Sequence, residues 1–120
     1  MEKNEEEIVE EENIMPTNLE ECIAELNINI PSGEIEQIKG MDIDEFVAVA
    51  HHSLGRHLRN EWGLWKDSIL LTYFKELGLQ HPDDMSGLIL RCFHKQLNGQ
   101  PFDIEGWVAY CKEYWKNTGK

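Results

Sequence analysis

His81-Pro82-Asp83-Asp84-Met85-Ser86-Gly87-Leu88-Ile89-Leu90-Arg91-Cys92-Phe93-His94-Lys95-Gln96-Leu97-Asn98-Gly99 carries every signal of a helix in one run. Proline suits a first helical turn, where its missing N–H costs nothing, and carboxylates suit the positive end of the dipole. Met85, Leu88, Ile89, Cys92, Phe93 and Leu97 then recur at the spacing of one helical face. Gly99 supplies the stop.

Working outward, the same grammar repeats. Before this run, Asp67 or Ser68 opens a helix with Ile69, Leu70, Tyr73, Phe74 and Leu77 as its apolar set, ended by Gly78. After it, Asp103 caps a last helix in which Ile104, Trp107, Val108, Cys111 and Trp115 face inward. Upstream, Asp42 with Glu45 starts a helix over 43–61, with Ile43, Phe46, Val47, Ala50, Leu54 and Leu58 as its stripe. Gly55 inside it weakens the helix by about 1 kcal/mol relative to alanine, which points to close packing there. Ser32 is expected to cap a short helix with Ile35 and Ile38 that stops at Gly40. Thr17 with Glu20 reads as a capping box for a helix over 18–27, and Asn27–Ile30 alternates like a short extended connection. Caps, stripes and stops agree with one another. The prediction is an all-α, compact single-domain bundle of about five to six short helices.

The domain is predicted over 16–120, preceded by an acidic, disordered tail over 1–15. The whole chain has 120 residues and a formal charge of −12, but the charge is uneven. Residues 1–12 hold seven glutamates and one lysine, whereas residues 26–120 are nearly balanced, with 13 acidic and 10 basic side chains. Like charges at that density repel and leave little to bury. Phosphate binding needs a basic footprint, so nucleic acid is not an expected ligand. No apolar run approaches the length of a membrane span, and the N-terminus has no secretory pattern, so a cytoplasmic location is expected. Three cysteines, Cys22, Cys92 and Cys111, make no disulfide framework and fit a reducing compartment as buried thiols.

Three constellations invite a chemical reading. Arg59-Asn60-Glu61-Trp62-Gly63-Leu64-Trp65 sets two tryptophans and an arginine at a turn. Exposed Trp and Arg are common interface anchors; the plainer alternative is that both rings are core and Arg59 caps helix carbonyls. At about 100° per residue, His57 and Glu61 fall within the apolar stripe as i, i+4 neighbours. They suit either proton transfer or a structural pair. The opposite side would carry His52, Arg56 and Arg59 as a small positive strip for a carboxylate or phosphate, or simply a solvated surface. His81, Asp83 and Asp84 suggest metal binding or acid–base work, yet helix capping accounts for them too. His94 lies ten residues beyond Asp84, about 15 Å along a helix, too far to join them. No Cys-x2-Cys, His-x3-His, HExxH, P-loop or GxGxxG occurs, so no metal or other cofactor is expected.

The strings Arg59-Asn60-x-Trp62-Gly63-Leu64-Trp65 and His81-Pro82-Asp83-Asp84-Met85-Ser86, with His51, Gly55 and Gly78, resemble a family of uncharacterised small bacterial proteins. The likeness covers about 16–116. It implies no activity; it implies that the two strings belong together as neighbours in the fold.

The expected function is protein binding through Arg56, Arg59, Asn60, Trp62, Trp65, His81, Asp83 and Asp84. Its concrete form is a cytoplasmic immunity protein that neutralises a bacterial toxin domain, since an acidic inhibitor meets a basic nuclease with a complementary field. An accessory or scaffold subunit differs only in its partner. A small enzyme would need His57, Glu61, His81, Asp83 and Asp84 to converge in one cleft.

Overall fold

The computed structural model describes residues 15–64 and 68–117. Most of the predicted tail therefore lies outside the described residues; Met15, its last residue, is exposed.

Helix α1 (Leu19–Asn29) starts one residue later than the Thr17–Glu20 box implies. Asn18 is the cap, its Oδ1 accepting from Glu21 N at 2.9 Å. Glu21 reaches back to accept from Thr17 N and Oγ1, both at 2.8 Å. Those bonds, the backbone one first, hold the Glu21 carboxyl below its usual range. The extended connection expected at 27–30 shrinks to Ile30, because the helix runs on through Asn29. Asn27 Nδ2 donates to Ile23 O and Asn29 Nδ2 to Glu25 Oε1, so both amides are satisfied along the helix itself.

Helix α2 (Ser32–Gly40) begins after Pro31, and Ser32 is its first residue rather than its cap. Ile35 and Ile38 pack half-buried against the core. Helix α3 (Ile43–Ala50) is capped by Asp42, which accepts from Asp44 N and Glu45 N. A π turn (His51–Gly55) then leads directly into α4 (Arg56–Glu61). Helix α5 (Ile69–Leu77) is capped by Ser68 and closed by Gly78 at φ 113°. Ile69 was expected to face inward but is 70% exposed. Leu70, Leu71 and Phe74 fill the inward arc, and Ile69 stands about 100° from Leu70.

Helix α6 (Pro82–Leu97) is the quoted run, and it is the axis of the molecule. It touches α1, α2, α3, the π turn, α4 and α7 (Ile104–Asn117). Met85, Leu88, Ile89, Leu90 and Phe93 are wholly inaccessible to solvent, although their positions circle the helix. A helix buried on nearly all sides needs apolar or satisfied residues all round. The one-stripe reading missed Ser86, Gly87, Leu90 and His94, which are buried as well. His94 Nε2 donates to Met41 O at 2.6 Å, and its ring stacks on Phe46. Each such apolar side chain contributes about 1.5–3 kcal/mol by leaving water. The architecture is an all-α bundle, with no strand among the described residues.

Candidate functional site

The site is built where α4 and α7 meet the first turns of α6. Its first half depends on the π turn. An i→i+5 turn holds one residue more than an α turn, so positions beyond it lag by about one residue. The expected placement of His57 and Glu61 in the apolar stripe is therefore wrong: both are exposed. Leu58 and Arg59 turn inward instead, and Arg59 is 6% exposed. The positive strip loses Arg59 to the interior, while His52 and Arg56 remain on the surface.

Arg59 fills the space that Gly55 leaves. A Cβ at Gly55 would stand 3.1 Å from Arg59 Nη1 and 3.4 Å from Ala50 O. The guanidinium spends its donors on two chain segments. Nη1 donates to Ser86 Oγ at 2.8 Å, and Nη2 to His51 O at 3.3 Å. The second bond satisfies a carbonyl of the π turn, so Arg59 does cap a helix carbonyl. Nε lies 3.4 Å from Asp83 Oδ1, an ion-pair contact without hydrogen-bond alignment. Ser86 Oγ in turn donates to Asp83 O at 3.1 Å. The Asp83 side chain stays 57% exposed although its partner is 7% exposed. The two sequence strings are thus neighbours, joined by Arg59 on one side and Asp83 and Ser86 on the other.

The second half comes from α7, started by Asp103, whose Oδ1 accepts from Gly106 N at 2.9 Å. Trp107 lies on Gly87, where a Cβ would stand 3.2 Å from its ring. Its Nε1 donates to Asp84 O at 3.2 Å. Trp115 Nε1 donates to Asp84 Oδ2 at 2.7 Å, and its ring stacks on His81 with centroids 3.8 Å apart. Arg91 lies 4.6 Å over Trp107 and pairs with Asp44 at 3.1 Å. Between the α5–α6 turn and α7 is a cleft of about 360 Å3, walled by Leu79, His81, Asp84, Cys111, Lys112 and Trp115. Burial first, and Asp84 second, push the Cys111 thiol up to about 12. A protonated thiol is a poor nucleophile.

Of the remaining expected contact residues, Arg56 and Asn60 are exposed and Trp62 is half-buried against the core. Trp65 lies outside the described residues. Reasoning from the sequence missed Trp107 and Trp115 as partners of Asp84. The available signal was Gly87, a residue that lets a large ring approach a helix. Among the described residues, no three His, Cys, Asp or Glu side chains gather as metal ligands. Nor is any helix among them long and apolar enough to cross a membrane.

Fold and site together define an all-α protein organised around one central helix whose first turn is held from two sides. The chain belongs to the family described as domain of unknown function DUF6794, whose model matches residues 15–97. The match takes in α1 to α6, hence the Arg59–Asp83–Ser86 cluster, and leaves α7 outside. No curated protein and no solved structure matches the chain.

Proposed function

We propose that this chain is a protein-binding module, and specifically a cytoplasmic immunity protein that neutralises a basic bacterial toxin domain. The observation that carries the reading is Asp83. Its carboxylate is more than half exposed, yet one oxygen lies 3.4 Å from a buried guanidinium. A charge held ready in this way loses little side-chain freedom on meeting a cation. In this reading Arg59 is not itself a contact; it positions Asp83. Asp84 and His81 are held beside it by Trp115. The chain's net charge of −12 adds a long-range field that speeds encounter with a basic partner.

The test is co-expression with any toxin-like product encoded beside the gene. The expected result is protected growth and a purified complex that weakens at high salt. The Asp83→Ala variant should bind that product at least about tenfold more weakly, as loss of a fixed charge contact implies. Unprotected growth, with no complex at low salt, would sink the proposal.

A further inference from the structure

Helix α7 leaves an aromatic side uncovered. Tyr110 is 59% exposed and Tyr114 50% exposed, against the half-buried Trp107 and Trp115 that they touch. Tyr110 stacks on Trp107 with centroids 5.4 Å apart, and Tyr114 meets Trp115 edge-on at 5.1 Å. The rings are therefore braced by neighbours while their outer surfaces face water. At about 100° per residue, Asp103, Trp107, Tyr110 and Tyr114 share one side of α7, with Glu113 at its margin. Asp103 and Glu113 are exposed. Lys112 and Lys116 line the cleft instead. Arg91, the cation that lies over Trp107, is paired with Asp44.

We propose that this side of α7 is a docking surface for an arginine-rich segment of a protein partner. The inference rests on the protein-binding reading and adds the surface and the chemistry of what it holds. Rings alone would accept any apolar group, and carboxylates alone any cation. Rings and carboxylates interleaved match guanidinium, which is planar, stacks on aromatic faces and pairs with carboxylate in a fork. The molecule already shows the arrangement internally: Arg91 covers Trp107 while its Nη1 bonds Asp44 Oδ1. Tyr110 and Tyr114 offer the same chemistry to an outside arginine.

The test uses the full chain and a labelled oligo-arginine peptide, with an oligo-lysine peptide as the comparison. The Tyr110→Ala/Tyr114→Ala variant should bind oligo-arginine about tenfold more weakly, the effect of losing two cation–π contacts. Tyr110→Phe/Tyr114→Phe should bind like the unaltered chain, and oligo-lysine should scarcely distinguish the three. Both substituted sites are exposed, and circular dichroism checks that helicity is unchanged. Equal oligo-arginine affinity for the unaltered chain and the alanine variant overturns the surface, since charge elsewhere would then be binding the peptide. Self-association abolished by the alanine variant also overturns it, because a second copy would then be the occupant. A complex with the neighbouring gene product that weakens in Asp83→Ala but not in the alanine double variant overturns this surface and leaves the protein-binding reading standing.

Discussion

Asp83 and Asp84 are adjacent in the chain and sit in opposite kinds of site. Successive residues of a helix point about 100° apart, so one carboxylate meets α4 and the other meets α7. Asp83 faces a buried, permanent cation, and its own side chain stays mostly in water. Asp84 faces two indole N–H groups, one on its carbonyl and one on its carboxylate. The first contact is an ion pair within the family-matched segment; the second is a pair of dipolar clamps from a helix beyond that segment. A shared sequence motif is thus divided by helical geometry between a charge that anchors the core and a charge that anchors an added helix.

The largest expected effect lies on the Asp83 side. Arg59→Ala removes two hydrogen bonds, leaves a π-turn carbonyl unpaired and opens a cavity over Gly55. It should cost roughly 2–4 kcal/mol in urea unfolding, and Arg59→Lys should recover little of it, because lysine cannot fork between two segments. On the Asp84 side, Trp115→Phe keeps a ring against His81 but removes the donor. About 1–2 kcal/mol is expected, read as a lower midpoint in the same titration. Comparable losses from the two variants would erase the proposed contrast.

Smaller effects sharpen the comparison. Asp83→Asn should cost at most about 1 kcal/mol, and the loss should fade in high salt, since the pair is half in water. Asp84→Asn keeps an oxygen for Trp115 Nε1, so its smaller loss should be insensitive to salt. The last effect is confined to alkaline pH. Burial raises the Cys92 and Cys111 thiols from 9.0 to about 12. A raised folded value favours the protonated thiol, so this stability is complete below pH 9.0 and falls as pH climbs toward about 12. Unfolding midpoints across that window should decline less steeply in Cys92→Ala/Cys111→Ala than in the unaltered chain.

The two halves also differed in how far they could be read from the chain. Helices α5 and α6 were legible because their signals are local: Ser68 and Gly78 for one, Pro82 and its acids for the other. The inward set of α7 was legible for the same reason. The π turn was not. It shifts the phase of α4 by one residue and so turns Arg59 inward, where it donates to Ser86, 27 residues away. No window of sequence contains both ends. Gly55 was the one visible trace, correctly read as close packing, though its neighbours include an arginine as well as the aliphatic Leu90. The docking of Trp107 and Trp115 on Asp84 was hidden likewise, since apolar spacing orders rings toward a core without saying which polar group their N–H will meet.

Arg59 ties α4 to α6 by pointing into the molecule rather than out of it. A double-mutant cycle of Arg59→Ala and Ser86→Ala, followed by urea unfolding, measures that contact directly. The predicted coupling is at least about 1 kcal/mol, as expected for a buried hydrogen bond to a charged donor. Two losses that simply add would mean that the π turn does not bring the guanidinium onto α6.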